Sequence, residues 1–392
     1  MRIFPRAWGG RAGVVRWNRD EAFTTHAETT VSEGIAGNPR DNRPVSHPAQ
    51  SSIQAMLKPT GSPSPTDRSG VDSLRISVAW ADLGHRGVIL ATGEDALPFV
   101  DKFTTASLAR LADQQGTEGF FADARGWVIA LATLLRTTDG LWIDCDAEVA
   151  ATLRDHLEHY HIRERVAFHD ASADYACGAI AGPHARAWLE QRLGSAAPAG
   201  PYDHARGRLG DVDVMLVRID WFGPEAFLVQ SAASTGPALR GWLAAEGLAT
   251  AHAADVEALR IEGRYPAARD IPPKTLPQEL DRTAQAISFT KGCYLGQETV
   301  ARIDALGHVN RGLALVAIDG PPPPPATELT CDGEPAGTIT SSCAATRLGG
   351  AACLAIVHRR GLAAGVHLRV LDRAARIVGA APHAAENQEG PR

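Results

Sequence analysis

The chain has 392 residues, 44% of them hydrophobic and 21% charged, with a formal net charge of -6. That length and composition suit two or three domains with a real core. The mild acidity gives no electrostatic footprint for nucleic acid, and no run of about 18 apolar residues offers a transmembrane helix, so neither nucleic acid nor membrane is expected as a partner.

Residues 1–73 hold Pro39, Pro44, Pro48, Pro59, Pro63 and Pro65 among many Ser, Thr, Asn and Gly. Such a segment cannot bury enough apolar surface to offset its ordering entropy, and it is expected to be a disordered extension. Arg2, Arg6, Arg11, Arg16 and Arg19 give its start the look of a transit peptide. The plainer alternative is an over-extended gene start, with Met56 the true initiator. The expected location is therefore cytoplasmic, with a mitochondrial one as the alternative.

A first α+β unit is expected over 74–175. Leu74, Ile76, Val78 and Trp80 alternate as in a strand, and 88–90 adds another. Residues 94–103 read as a helix with Leu97, Val100 and Phe103 on one face. Segments 119–122 and 127–135 read as paired strands, 141–144 as a strand, 147–160 as a helix and 166–168 as a closing strand.

A second, related α+β unit is expected over 176–310. It reads as a strand at 177–180, a helix at 183–193, a hairpin of 212–219 with 226–230, and helices at 237–246 and 254–262. Gly263 sits where a helix C-cap glycine is common. Residues 311–382 then read as an all-β module, a small barrel. Pro321 to Pro325 is a rigid spacer, Asp332-Gly333 is a strong hairpin turn, and Val366, Leu368 and Val370 alternate. Residues 383–392 are expected to fray.

The cysteines are Cys145, Cys177, Cys293, Cys331, Cys343 and Cys353. None forms a C-x-x-C pair, so no metal site is expected, and most read as small buried hydrophobes in a reducing compartment. Cys293 stands apart, within Lys291-Gly292-Cys293-Tyr294-Leu295-Gly296-Gln297-Glu298. Gly292 and Gly296 permit backbone conformations or close approaches that a Cβ would block. A helix fits 298–306, with Glu298 in its first turn, Arg302 four residues on and Gly307 as its stop. A helix N-terminus ahead and Lys291 two residues behind both favour a thiolate at Cys293. That makes it a candidate catalytic residue: nucleophile, redox centre or metal ligand. A glycine-rich turn around a buried cysteine is the alternative.

This segment resembles the K-G-C-Y-x-G-Q-E signature of the YgfZ-type folate-binding proteins, relatives of the glycine-cleavage T-protein, an aminomethyltransferase. The flanks agree: Gly307-His308-Val309-Asn310-Arg311 resembles G-H-V-x-R, and Leu259-Arg260-Ile261-Glu262-Gly263 resembles L-R-I-E-x-G. Pro277-Gln278-Glu279 and the opening Asp82-Leu83-Gly84-His85-Arg86-Gly87 also fit. The resemblance covers roughly 76–380. It implies a three-domain ring of two related α+β units and a β-barrel around a central folate channel. It implies tetrahydrofolate as ligand, with Glu262 accepting the two parallel donors of a pterin and Arg302 and Arg311 as candidates for the anionic tail. It implies a role in assembling or repairing iron–sulfur clusters in client enzymes.

Two departures matter. Thr104-Thr105 is followed by Ala106-Ser107 where relatives often carry Asn-Asp. The stretch 126–132, Gly-Trp-Val-Ile-Ala-Leu-Ala, lacks the aspartate that the T-protein uses. Without that acid, binding and orientation remain but its proposed activation of the folate amine does not. A folate-binding accessory role is therefore expected. A tetrahydrofolate-dependent one-carbon transferase and a module that has lost folate are the alternatives.

Overall fold

The computed structural model describes residues 74–379, apart from 224, 346, 347, 349 and 364. The expected disordered extension and frayed tail lie outside the described residues. Three sheets carry the fold. Strands β1 (Ala79–Gly84) and β2 (Arg86–Thr92) are neighbours in sequence but enter different sheets. β2 joins β3 (Gly116–Ala122), β4 (Val128–Thr137), β5 (Gly140–Asp146) and β6 (Ala167–Asp170) in a five-stranded sheet ordered β3-β4-β5-β2-β6. The helix Ala147–His159 covers one face, burying Ala150, Leu153 and Leu157.

β1 instead pairs with β7 (Tyr175–Ala181) and, in parallel, with the short β11 (Ala249–Ala251). With β8 (His204–Leu209), β9 (Val212–Ile219) and β10 (Ala226–Ala232) they form a six-stranded sheet ordered β11-β1-β7-β10-β9-β8. The unit drawn over 74–175 therefore gives its first strand to the sheet of the following unit. Pattern along the chain identifies a strand but not its partner, because pairing is a long-range choice.

The third sheet is a closed barrel of β12 (Arg311–Asp319), β13 (Glu328–Cys331), β14 (Glu334–Ala345), β15 (Gly350–His358), β16 (Leu368–Val370) and β17 (Arg373–Ile377). β17 returns to pair with β12, so no edge is left open. The β13–β14 turn has Asp332 and Gly333 both at positive φ, 51° and 85°, as the Asp-Gly signal requires.

Some elements differ from their expected bounds. Leu74 to Ile76 is a helical turn, and the strand starts at Ala79. Leu74 reaches the core from that turn, whereas Ile76 is 66% exposed. The helix expected at 94–103 is only Ala96–Val100. Beyond it the chain extends so that Thr104 bridges Phe121. Gly263 caps its helix at φ -74°, not in the left-handed region. β8 was not expected because its buried ends flank Arg206 and Arg208, a polar edge strand. The largest core cluster draws residues from all three sheets, among them Phe120, Leu228 and Leu354. Full burial of side chains of this size stabilises by about 1.5–3 kcal/mol each.

Candidate functional site

A small pocket with about 70 Å³ of enclosed space opens beside β4. Its walls are residues 128–131, Val149 on the helix after β5, and Tyr265, Pro266 and Ile271 in the segment after the helix Ala253–Glu262. Ala130 and Leu131, in the stretch noted for its missing aspartate, face it as apolar wall. Its charged groups are Arg86 and Asp146.

Arg86 Nε donates to Asp144 Oδ1 at 2.6 Å and Nη1 to Asp146 Oδ1 at 2.9 Å. Asp144 is 1% exposed and also accepts from Gln230 Nε2 at 2.9 Å. Burial would lower the basicity of Arg86, but Asp144 and Asp146 outweigh it and hold the guanidinium charged. The guanidinium lies 4.5 Å from the Trp221 ring centre, and Trp221 stacks on Tyr265 at 4.7 Å and 26°. Arg282 covers Tyr265 at 5.3 Å. The cavity wall at Tyr265 is thus clamped by an aromatic pair between two arginines.

The Lys291–Glu298 loop is fastened to this region from outside. Gly296 is left-handed at φ 80°, and a Cβ there would stand 2.6 Å from Asp123 O and 2.9 Å from Gly126 Cα. The loop therefore packs backbone to backbone on the turn that leads into β4. Gly292 is different: a Cβ there would meet nothing within 4 Å, so the expected need for glycine holds at 296 and fails at 292. Gly296→Ala should destabilise by roughly 1–3 kcal/mol through the strained backbone and the clash, with Gly292→Ala near neutral. Paired thermal melts check both, and equal melting of the two variants would refute the assignment.

The Lys291 ammonium is bonded across the fold rather than to its own loop. It donates to the carbonyls of Asp101, Thr104 and Ala106 at 2.6, 2.9 and 2.5 Å, with Asp101 Oδ1 at 3.2 Å. The side chain is 1% exposed, and burial lowers its pKa against the pull of Asp101. Lys291 thus holds the segment carrying Thr104-Thr105. Leu295 N donates to Lys102 O at 2.8 Å and adds to the same join. Tyr294 is buried, and burial pushes its hydroxyl up to about 12. Cys293 is exposed; Cys145, Cys177, Cys331 and Cys353 are buried and Cys343 is half-buried, all as free thiols. Burial raises Cys145 to about 12. Among the described residues Cys293 is therefore the accessible thiol.

The other motif residues separate. The helix is Gln297–Leu306, capped by Gly307 at φ 69°. Gln297 is half-buried, while Glu298 and Arg302 are exposed and form no ion pair with each other among the described residues. Arg311 is engaged: Nε donates to Glu279 Oε2 at 3.1 Å and Nη2 to Lys274 O at 3.0 Å. Thr275 O in turn receives Val128 N at 2.8 Å, so Arg311 braces the start of the β4 wall. Glu262 ends its helix three residues before Tyr265 and accepts from Arg75 Nη2 at 2.6 Å through Oε1. Its Oε2 has no hydrogen bond to a described residue.

Over residues 42–291 the sequence matches the family of the GCVT N-terminal domain. The chain belongs to that family. It is 26% identical over 288 residues to a chloroplastic protein of Arabidopsis thaliana named as a transferase, covering 70% of this chain and 64% of that one. The chain thus spans just under two thirds of that relative's length. It is 29% identical to human iron–sulfur cluster assembly factor IBA57, a mitochondrial protein, covering 66% of this chain and 74% of the relative. It is 29% identical to the tRNA-modifying protein YgfZ of Cronobacter sakazakii, covering 64% and 75%. Its structure is similar to the glycine cleavage system aminomethyltransferase T of Bartonella henselae, with a TM-score of 0.65 at 17% identity over 80% of this chain and 88% of the other. That likeness establishes the GcvT-like fold, two mixed α+β sheets and a β-barrel. The relatives' names place them in chloroplasts, mitochondria and bacteria.

Sequence reasoning passed over Asp144 and Asp146. The available signal was two acids at alternate positions on one face of an otherwise apolar strand, Leu141 to Asp146, immediately before a helix.

Proposed function

We propose that this protein is a tetrahydrofolate-binding accessory factor for assembly or repair of iron–sulfur clusters in client enzymes. The observation that carries the reading is the cavity whose β4 wall, residues 128–131, is apolar where an aminomethyltransferase of this fold would need an acid. The names of two relatives, an iron–sulfur cluster assembly factor and YgfZ, support it. The residues fit the ligand. Apolar walls and Tyr265 suit a planar pterin, and Arg86 and Asp146 offer it polar contacts. Glu262, with Oε2 open beside its bond to Arg75, is the candidate acceptor for the pterin's paired donors. Bound tetrahydrofolate would supply one-carbon chemistry at its reduced ring. The chain's residues hold and orient the ring, and the exposed Cys293 thiol is the candidate reactive group. Arg302, exposed and beside the loop, suits the anionic tail better than Arg311, which is bound to Glu279. We place the work in a reducing compartment: the cytoplasm, or the mitochondrion where the Arg-rich start acts as a transit peptide.

Calorimetry with tetrahydrofolate tests the reading. Wild type should bind, and Glu262→Ala should bind about tenfold or more weakly, as expected for loss of a charge-assisted contact. No heat and no thermal shift with wild type would favour a folate-free module. In the host, deletion should lower the activity of iron–sulfur enzymes, and Cys293→Ala should fail to restore it. Full restoration would remove Cys293 from the mechanism. Turnover with folate and amine donors would favour the transferase alternative.

A further inference from the structure

Asp146 occupies the N-cap of the helix Ala147–His159 with the extended backbone of such a position, φ -67° and ψ 139°, yet its side chain makes no cap hydrogen bond. Aspartate is among the best N-cap residues, so this carboxylate is held away from its ordinary local task. It accepts from Arg86 Nη1 through Oδ1 at 2.9 Å and from Ala268 N through Oδ2 at 2.6 Å. Its side chain is 29% exposed, whereas that of Asp144 on the same arginine is 1% exposed. Asp144 is thus the buried counter-charge, and Asp146 is the carboxylate at the cavity. Each oxygen of Asp146 keeps acceptor capacity beyond its one bond. Arg86 keeps donors as well, because Nη2 makes no hydrogen bond with a described residue. Its plane is fixed by Asp144 and by Trp221.

The pocket therefore presents one fixed donor beside one acceptor, next to the apolar side chains of residues 128–131 and Val149. The complementary ligand is a planar heterocycle carrying an acceptor and a donor side by side on one edge. A tetrahydropterin has such an edge: its 4-oxo group lies next to N5–H. This edge remains available when the N3–H and 2-amino edge is taken by a second carboxylate. We propose that Arg86 donates to the 4-oxo group and Asp146 accepts from N5–H, making the pair the determinant that selects a reduced folate unsubstituted at N5. This proposal rests on the folate reading above and adds which form of the ligand is chosen and by which residues.

The test is a pair of anaerobic titrations of the full chain, with tetrahydrofolate and with 5-formyltetrahydrofolate, which lacks N5–H. Wild type should favour tetrahydrofolate by about tenfold or more, and in Asp146→Ala the ratio should fall to within about twofold. A merely structural role for Asp146 would weaken both ligands together and leave the ratio unchanged, which would overturn the proposal. A wild-type ratio near one overturns it too while the folate reading stands. Binding of neither ligand to wild type overturns both. Should Asp146→Ala melt far below wild type, Asp146→Gly, tolerated at an N-cap and without a side-chain acceptor, carries the same comparison.

Discussion

Replacing Arg282 with alanine should destabilise the protein by roughly 3–5 kcal/mol, the effect of removing one member of a buried ion pair. Arg282 is 6% exposed and Glu118 0%. The guanidinium holds Glu118 through Nε at 2.8 Å and Nη2 at 2.7 Å, and Nη2 also reaches Tyr202 Oη at 2.9 Å and Asp220 at 3.0 Å. Tyr202 Oη donates to Glu118 as well. The cluster joins β3 of the five-stranded sheet to the loops flanking β8 and β9. Alanine would leave Glu118 buried without its cation. Burial already raises the Glu118 pKa above the usual carboxylate value, and Arg282 holds it down, so in the variant it should rise further. The sign follows: a carboxyl with a raised folded-state pKa binds its proton more tightly when folded. The variant's deficit should then be smallest below about pH 4.5, where Glu118 is neutral in both states, and grow as pH rises towards 7. Denaturant melts of wild type and Arg282→Ala at pH 5 and pH 7 check this. A deficit below about 1 kcal/mol at pH 7 would refute the account.

The second large effect is expected at Lys291. Lys291→Met removes the donor to the carbonyls of Asp101, Thr104 and Ala106. Each acceptor left buried and unsatisfied costs about 1–3 kcal/mol. Against this, methionine avoids desolvating an ammonium, the same burial that lowers the lysine's pKa. We expect the lost bonds to win, with a net loss of roughly 2–4 kcal/mol. Amide hydrogen exchange should quicken at 101–106 and 291–296 together, because Lys291 and the Leu295–Lys102 bond join the two segments. Loosening confined to 291–296 would show that the lysine serves the thiol loop alone.

These two clusters show what could be read along the chain. The hairpins at Asp332-Gly333 and between β9 and β10, the helices at 147–159 and 297–306, and the barrel were legible because turn residues, capping glycines and hydrophobic period act over a few residues. The loop 291–298 was legible for the same reason, as a dense run of residues with a family likeness. The partner of Lys291 was not. Its position two residues from Cys293 suggested support for a thiolate, but its ammonium closes a contact across 190 positions to Asp101. Glu118 and Arg282, 164 apart, are equally silent in sequence, since nothing local distinguishes a buried charge with a partner from a solvated one.

The sequence by itself therefore determined most of the elements, the GCVT-family membership and the lack of an acid at 126–132, while the exposure of Cys293 came from the fold. Only the tertiary structure decided that β1 crosses to the other sheet, that Arg311 is occupied by Glu279, and that Asp146 leaves its helix cap to meet Arg86 at the cavity. The division has one physical cause. Propensity and periodicity act between near neighbours, whereas strand pairing, buried ion pairs and cavities are settled by contacts that exist only once the sheets have packed.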